Sequence, residues 1–451
     1  MVEFDERFVN PGVTGWATVR FGVASSDRSA NWTVGGWEDW AGSRATRVDT
    51  AIHLQCSPSG LLASVRPYQQ HSTQICVLQD AVHRALTICY LTTGMSSTMC
   101  DEIRQQPEAL ERTLIAEWGH AEQLRQYFSK HPVRSITLVA RGTSDNAAQF
   151  GRYLLEITTG IPVSLAAPSV ITLYHAPLQW QDTAVVAISQ SGESTDTNLV
   201  LEEAKAKGAL TIGITNEAES TLARLAHHAF LVRAGKEKSV AATKTYTGQL
   251  VCLYLLACAL GAPLCREDLQ HLPEDAAAAL ETEREIRSRA ERYCFIEHAV
   301  CIGRGLNYSN SFEFALKLME TCYVVAERFS SADLLHGPIA MLEASFPAFL
   351  FCPSGVTWKP MCEVIQKLKA IRAETLVITD RSNEDALERE QLRQKPIVIP
   401  AALNTLNGLP EDIFTPIPFI IPGQLFAASL AEVKGLDPDR PRTLSKVTQT
   451  I

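Results

Sequence analysis

The sequence predicts an α/β fold of two tandem, doubly wound units, each built on a mainly parallel sheet. From about residue 133 onward, short apolar runs alternate with stretches of helical periodicity, several runs end in a Gly- or Ser-rich turn, and the whole scheme occurs twice. Short buried strands that alternate with helices are typical of parallel sheets covered by helices on both faces. We therefore expect one unit in residues 133–273 and the other in residues 294–435.

The apolar runs of the first unit predict five strands. They are Ser135–Ala140, Val163–Ala166, Thr183–Ile188, Leu210–Ile214 and Ala229–Val232. Helices are expected from Asp145 to about Thr158, and from the end of the segment SQSGES to about Lys207. Together these elements give the alternation that parallel strands require, since each pair needs a crossover connection.

The second unit repeats the first. Its predicted strands are Ala299–Ile302, Ala348–Phe351, Thr375–Ile378 and Ile397–Ile399, and its first helix is expected from about Ser309 to Val325. The segments VARGTSDNAAQFGRYLLEITTG and IGRGLNYSNSFEFALKLMETCY both read as an apolar strand, an Arg-Gly turn and a helix. This internal duplication has a period of about 160 residues, which is longer than the period of solenoid repeats.

Three segments flank or join the two units. Helical spacing from Glu102 to Phe128 predicts an N-terminal helical segment in residues 95–132, the Arg/Glu/Ala-rich residues 274–293 predict a helical linker, and residues 436–451 form a polar, Pro-punctuated tail. Residues 1–94 hold four of the seven tryptophans and no lysine, and no period lasts in them. We expect an atypical leader that is unstructured or not native, with a small additional domain as the alternative; its strand candidates are Ala51–Leu54 and Thr87–Leu91.

Composition narrows the class of function. The chain has 451 residues and a formal net charge of −9, which disfavours nucleic acid as a partner because nucleic-acid-binding domains usually carry a basic face. No apolar run is long enough to predict a membrane span, and the acidic, polar N-terminus does not resemble a signal peptide. The twelve cysteines lack metal-ligand spacing. We expect a cytoplasmic protein that uses no metal or cofactor and binds neither membrane nor nucleic acid.

The segment Ser189–Ser194 (SQSGES) predicts a phosphate site. It stands where an apolar strand ends and a helix begins, and ligands of parallel sheets bind at the carboxyl ends of strands. A helix N-terminus offers free N–H groups and a partial positive charge, and Gly192 allows close approach of the backbone. Thr143 and Ser144 follow the first strand and should lie at the same edge. The alternative is plain helix capping by serine, without any ligand.

Six short motifs follow one another in a fixed order along the chain. They are RGTS at 141–144, SQSGES at 189–194, SVAATKTYT at 239–247, EFALKLME at 313–320, DLLHGP at 333–338 and RPRTLSK at 440–446. Together they resemble the sugar isomerase (SIS) domain family over about residues 100–451. The resemblance is to the isomerase half of glucosamine-6-phosphate synthase and to the stand-alone type II glucosamine-6-phosphate deaminases. It implies two flavodoxin-like SIS domains in tandem.

The resemblance also implies roles for individual residues. Ser144, Ser189, Gln190 and Ser191 would hold the sugar phosphate, with Ser194 standing where the synthase usually has threonine. Glu320 would be the base that moves a proton between C1 and C2, and Lys317 would be the site lysine one turn before it. His336 would open the sugar ring from the partner subunit of a homodimer with shared sites, and Lys446 would close over the sugar. Without the resemblance, Glu313, Lys317 and Glu320 would read as a solvated ladder of ion pairs.

Departures from the family pattern shape the expected reaction. Ala242 replaces a serine of the synthase, which puts one sugar contact in doubt, and no Cys-Gly-Ile start of a glutaminase domain is present. These features favour a deaminase that converts glucosamine 6-phosphate to fructose 6-phosphate and ammonia. The alternatives are an isomerase or deglycase of a galactosamine or fructosamine phosphate, and a non-catalytic regulator that senses sugar phosphates.

Overall fold

The computed structural model describes residues 97–400, 406 and 408–444, and before them the backbone of five strands. The chain divides into two compact units, Met1–Met95 and Ser96–Ile451. The strands of the first unit form one three-stranded and one two-stranded sheet with antiparallel pairs; they are Val2–Asn10, Val13–Phe21, Glu38–Asp39, Ile52–Ser57 and Gly60–Val65. The strand expected at Ala51–Leu54 overlaps one of them, and the strand expected at Thr87–Leu91 lies outside the described residues. The leader interpretation of residues 1–94 stays a prediction.

The second unit contains two five-stranded sheets in which every described pair is parallel. The strands of the first sheet are β1 (Ser135–Val139), β2 (Val163–Leu165), β3 (Thr183–Ile188), β4 (Leu210–Thr215) and β5 (His228–Leu231). Those of the second sheet are β6 (His298–Gly303), β7 (Val325–Ser330), β8 (Pro347–Cys352), β9 (Glu374–Asp380) and β10 (Ile397–Ile399). The spatial orders are β2-β1-β3-β4-β5 and β7-β6-β8-β9-β10. Both halves thus follow the flavodoxin-like order, and the predicted tandem α/β fold is confirmed.

Helices flank both sheets. They are α1 (Thr98–Arg104), α2 (Gln106–Phe128), α3 (Thr143–Thr159), α4 (Ser169–Thr172), α5 (Thr195–Ala206), α6 (Thr221–Leu225), α7 (Lys244–Ala259), α8 (Arg266–Leu269), α9 (Leu272–Leu280), α10 (Glu283–Ala290), α11 (Tyr308–Cys322), α12 (Ser331–Leu335), α13 (Trp358–Ala370), α14 (Glu384–Glu390) and α15 (Pro416–Val433). The helix expected from Glu102 is divided at Gln105, because the proline at the start of α2 has no N–H to continue the ladder.

One strand of the second sheet replaces the end of a predicted helix. The sequence predicts a helix to Val325, but α11 ends at Cys322 and Tyr323 adopts the left-handed conformation with φ 55°. The next residues, Val324 and Val325, are β-branched and favour extended backbone. The chain therefore turns at Tyr323 and continues as edge strand β7, which pairs with β6.

Two helices that the sequence analysis did not predict form the centre of the core. Helix α7 is buried at every position, and α15 is buried along nearly all of its length. A helix that is apolar all round belongs in the interior of a large protein or in a membrane. By length and composition α15 could cross a membrane, but 89% of it is buried inside the unit, where it packs against α9, α10 and α11. It is therefore a core helix.

The pairing of β1 with β3 prepares a site at one edge of the first sheet. Val139 lies opposite Ala187 near the carboxyl ends of these strands. The turns that follow the two strands therefore emerge side by side. Strand β2 is added to one side of β1, and β3 and the later strands are added to the other side. Doubly wound folds bind ligands at the point where the order of strands switches in this way.

Candidate active site

The SQSGES loop forms the first side of the site. After β3 ends at Ile188, the loop turns at Gly192, whose φ is +66° and where a Cβ would lie 2.2 Å from the hydroxyl of Ser220. Only glycine fits this position without displacing a neighbour. The hydroxyl of Ser189 accepts from the N–H of Gly192 at 3.1 Å, and that of Ser191 accepts from Glu193 at 3.2 Å. These local bonds hold the loop in shape at the N-terminus of α5.

The loop retains donors for an anion. The N–H groups of Ser191 and Ser194 donate to no acceptor among the described residues. Ser194 occupies the N-cap of α5, yet its side chain makes no capping bond; it donates to Asp196 at 3.1 Å and contacts the hydroxyl of Thr197 at 2.9 Å. Capping by Ser194 therefore does not account for this hydroxyl, whereas free N–H groups at a helix start suit a phosphate.

The turn after β1 forms the second side. Gly142 has φ 56° and α3 begins at Thr143. Ser144 is buried and accepts from Nε2 of Gln249 at 2.9 Å. An ion pair joins this turn to the loop, since Nε of Arg141 lies 2.6 Å from Oδ2 of Asp196 in α5. The structure thus places the predicted residues Thr143 and Ser144 beside the serine loop.

Gln190 differs from its neighbours in the loop. Its side-chain amide donates to Glu237 at 2.9 Å. The same carboxylate accepts from the hydroxyl of Thr245 at 2.6 Å and from the N–H of Thr243 at 2.8 Å. Glu237 therefore ties Gln190 to the SVAATKTYT segment, so the amide of this predicted phosphate ligand is already engaged.

Helix α11 supplies a buried charged cluster. Lys317 is fully buried, and its Nζ lies 2.7 Å from Oε2 of Glu320 and 3.3 Å from Oε1 of Glu313. The side chain of Glu313 is also fully buried, whereas that of Glu320 is 22% exposed. The alternative of a solvated ladder of ion pairs is therefore wrong for this helix.

Glu313 is a site residue that the sequence analysis did not propose. Both of its oxygens are occupied, because Asn146 donates to Oε2 at 2.7 Å and Thr143 donates to Oε1 at 3.3 Å, the atom that also faces Lys317. Burial raises the pKa of Glu313 to about 7. The spacing of Glu313, Lys317 and Glu320 on one helix face was visible in the sequence, but the burial of that face was not.

The charged cluster favours a cationic Lys317. Burial acts to lower the pKa of this ammonium, but the carboxylates of Glu313 and Glu320 outweigh burial and raise the pKa above its usual value. Of the two carboxylates, Glu320 is the more exposed, so it is the group that can exchange a proton with a bound molecule. Glu313 is closed off from solvent, and above its pKa of about 7 it is the buried counter-ion of Lys317.

Thr143 connects the cluster to the phosphate loop. Its hydroxyl accepts from Lys317 at 3.2 Å and donates to Glu313. Because Thr143 precedes Ser144 in the turn after β1, the charged cluster of the second half and the anion donors of the first half meet at one place. The candidate site therefore lies between the two halves of the duplication.

Two predicted residues are not joined to the site by the structure. His336 follows α12 and is exposed, and it makes no hydrogen bond or ion pair with another candidate site residue among those described. Lys446 lies outside the described residues. The tail before it does approach the site, because the N–H of Arg442 donates to the hydroxyl of Tyr323 at 2.9 Å, directly after α11.

Two cavities among the described residues lie elsewhere. One of about 880 Å³ is lined by residues such as Arg112, Asn216 and Arg233, and one of about 600 Å³ surrounds residues 177–182. Neither is lined by a predicted site residue. We place the site by its chemistry rather than by cavity volume, because the free donors and the buried charged cluster coincide at the turns after β1 and β3.

The hydroxyl of Ser191 accepts from Glu193, and its own proton remains available to donate to a phosphate, so we expect Ser191→Ala to weaken the binding of a phosphosugar. Each lost hydrogen bond to a charged group is worth about 1.5–3 kcal/mol, or roughly 10–150-fold in affinity. KM should rise and kcat should change little, since the phosphate stays bound throughout the reaction. Calorimetric titration and initial rates would measure the effect, with the exposed Ser129→Ala as the matched control. Equal affinity of the two variants would contradict the phosphate site.

The chain is similar to known proteins over both of its halves. The SIS domain family matches residues 131–259 and 296–403, which contain the two sheets. A glutamine–fructose-6-phosphate aminotransferase (isomerizing) from Gloeobacter violaceus is 36% identical over 369 residues, covering 78% of this chain and 58% of that relative. The same enzyme from Methanothermobacter thermautotrophicus is 34% identical over 356 residues, covering 78% of this chain and 57% of that relative. The chain thus spans less than two thirds of these relatives.

A solved structure extends the comparison. The C-terminal domain of glucosamine-fructose-6-phosphate aminotransferase from Francisella tularensis superimposes with a TM-score of 0.69 at 29% identity, and the match covers 78% of this chain and 99% of that chain. The similarity therefore includes both halves of the duplication and the turns that carry the candidate site.

Proposed function

Since this chain belongs to the SIS domain family, with two SIS domains in tandem, we propose that it catalyses an aldose–ketose exchange on an amino-sugar phosphate. The proposed reaction converts glucosamine 6-phosphate and water to fructose 6-phosphate and ammonia. It needs no metal and no cofactor. The observation that carries the proposal is the buried Lys317 between Glu313 and the partly exposed Glu320, joined through Thr143 to a helix N-terminus with free donors.

The chemistry follows from these groups. In the open-chain sugar, Glu320 takes the proton from C2, next to the C1 aldehyde, and negative charge develops on the C1 oxygen. Lys317 stabilises this charge, because a fixed ammonium in a dry site acts strongly on a developing oxyanion. Glu320 then returns the proton to C1, and the C1 oxygen takes a proton from the amino nitrogen, which leaves a C1 hydroxyl and an imine at C2. Water adds to the imine carbon, ammonia leaves, and a C2 ketone remains.

The phosphate group fixes the position of the reacting carbons. The free N–H groups of Ser191 and Ser194 hold the phosphate at the start of α5, and the ion pair of Arg141 with Asp196 keeps the turn after β1 beside them. Positioning of this kind can lower a barrier by several kcal/mol, because the substrate no longer has to find its orientation. The sugar then extends from the loop toward Glu320.

The C-terminal tail provides a candidate for closure over the sugar. Arg442 contacts Tyr323 both through its N–H and by placing its guanidinium 4.1 Å from the centre of that ring. Lys446 follows four residues later, a span of about 14 Å when extended. We propose that Lys446 reaches the sugar bound near Glu320.

Turnover of glucosamine 6-phosphate is the test of the proposed function. Ammonia and fructose 6-phosphate should appear in equal amounts, and the C2 proton should exchange with solvent during the reaction. Parallel assays with a galactosamine and a fructosamine phosphate would distinguish the alternative substrates. Phosphosugar binding without turnover of any of the three would contradict an enzyme and indicate a sugar-phosphate sensor. A cytoplasmic location is part of the proposal, and fractionation of cells would test it.

We expect a homodimer in which His336 enters the site of the partner. His336 is exposed and has no hydrogen bond or ion pair with Glu320 among the described residues, which is compatible with such an exchange. If so, mixing inactive Glu320→Gln and His336→Ala proteins should restore activity, because a hybrid dimer has one site with both changes and one with neither. Recovery should approach about one quarter of wild type at random mixing, since half the dimers are hybrids with one intact site. Proven subunit exchange without recovery would contradict the shared site.

A further inference from the structure

The second SIS domain contains a copy of the phosphate loop. The segment CPSGVT at 352–357 follows β8 as SQSGES follows β3. Ser354, Gly355 and Thr357 stand at the places of Ser191, Gly192 and Ser194, and α13 starts after Thr357 as α5 starts after Ser194. The strand register agrees, because Ile302 pairs with Leu350 in β6 and β8 as Val139 pairs with Ala187 in β1 and β3.

The neighbouring turns match as well. Gly305 after β6 has φ 58°, and Gly142 after β1 has φ 56°. Gly355 also has a positive φ, as Gly192 does. The second half therefore has both turns of a phosphate site, at the same point of the same strand order.

Two donors of the copied loop bond to carboxylates of the chain. The N–H of Ser354 donates to Oδ2 of Asp380 at 2.7 Å, and the hydroxyl of Thr357 donates to Oδ2 of Asp412 at 3.2 Å. In the first half, by contrast, the N–H of Ser191 has no acceptor among the described residues. The N–H group at this place is thus free in the first half and held by Asp380 in the second.

Asp412 lies between the two turns. A Cβ on Gly305 would be 4.0 Å from its Oδ2, and one on Gly355 would be 3.3 Å from its N–H nitrogen. Its side chain is buried, with the residue 1% exposed, and Oδ1 has no hydrogen-bond partner. Burial raises the pKa of this carboxyl, and the bond from Thr357 opposes the rise. A buried carboxylate here takes the position that an anion would take by analogy with the first half.

We infer that Asp412 is an internal substitute for phosphate, which closes the second copy of the site. Each chain therefore binds one phosphosugar, in its first SIS domain. The rim of the copied site supports an anionic occupant. Arg304 and Lys359 stand at the places of Arg141 and Asp196, and neither makes an ion pair with any described residue. Removal of Asp412 should therefore open a second site for phosphate.

The experiment is a titration of the full chain with inorganic phosphate, followed by calorimetry and ³¹P NMR. Wild type should bind one phosphate per chain, and Asp412→Ser should bind two, because serine opens the space between the two turns and frees the hydroxyl of Thr357. Asp412→Asn is the matched control, since the amide keeps the volume of the carboxylate and should leave the count at one. A count of one for Asp412→Ser, with its first site intact, would overturn the inference.

A second pair of variants does not depend on the folding of the Asp412 substitutions. In the wild-type background, Ser191→Ala should weaken phosphate binding and Ser354→Ala should leave it unchanged. If Ser354→Ala weakens binding as much as Ser191→Ala, the second loop is open and the inference is wrong. The inference rests on the proposed phosphate site in the first half, but different results would contradict the inference and that site. Phosphate binding by Asp412→Ser alone, with none by wild type, would refute the first site and keep the internal substitute.

Discussion

Glu320→Gln should lower kcat by about 10²–10⁴-fold, with little change in KM. This is the usual size of a general-base contribution. The amide keeps the shape of the side chain and can still accept from Lys317, which lies 2.7 Å from Oε2 of Glu320, so the loss falls on proton abstraction and not on binding. Initial rates with glucosamine 6-phosphate would measure the effect.

Two further measurements separate catalysis from structure in this variant. Exchange of the C2 proton with solvent should fall by the same factor as kcat, because one group performs both. Glu327→Gln, which changes an exposed carboxylate of β7, should leave both rates near wild type. Retention of C2 exchange in Glu320→Gln would assign the base to another residue.

Lys317→Met should destabilise the fold by about 3–5 kcal/mol and abolish turnover. The substitution leaves the fully buried carboxylate of Glu313 without its cation, and an uncompensated buried charge has a cost of this size. Denaturant unfolding would measure the loss. The double variant Lys317→Met/Glu313→Gln should recover much of the stability, since neither charge remains, but not the activity. Failure of the second change to restore stability would show that the pair is not the origin of the loss.

The same pair predicts a dependence of stability on pH. Burial raises the pKa of Glu313 from 4.5 to about 7, so between these values the folded chain holds a proton that the unfolded chain releases. The stabilising contribution of Glu313 to the free energy of unfolding is complete below about pH 4.5 and is lost as the pH rises through about 7. In Glu313→Gln this part of the pH dependence should disappear. If wild type and Glu313→Gln differ by the same unfolding free energy at every pH between about 4.5 and 7, the prediction is contradicted.

The strand predictions are confirmed where the signal is local. The strand Thr183–Ile188 is found as predicted, because six apolar or β-branched residues ending in a Ser/Gly turn have one plausible role in a parallel sheet. Gly192 was expected to allow close backbone approach, and its positive φ and its contact with Ser220 give the reason. These features depend on neighbouring residues in the chain, which the sequence displays directly.

Other predictions depended on distant partners. Gln190 was expected to hold the phosphate, which stays a prediction, and the structure adds a bond from its amide to Glu237 on a different loop. Edge strand β7 was not predicted, and the expected helix ended at its first residue, Val325. Pairing with β6 is what makes this segment extended. Helix α15 carries no amphipathic pattern, since it is covered on all sides by other helices.

The sequence by itself determined the tandem α/β fold, the turn after β1, the serine loop and the identity of Lys317 and Glu320 as candidates. Only the tertiary structure decided which of these groups act together. Glu313 is a surface ion-pair residue by its spacing, and it becomes a buried counter-ion because Thr143 and Asn146 of the other half cover it. Burial sets the dielectric environment of a charge, and burial depends on which elements pack together, which no local pattern encodes.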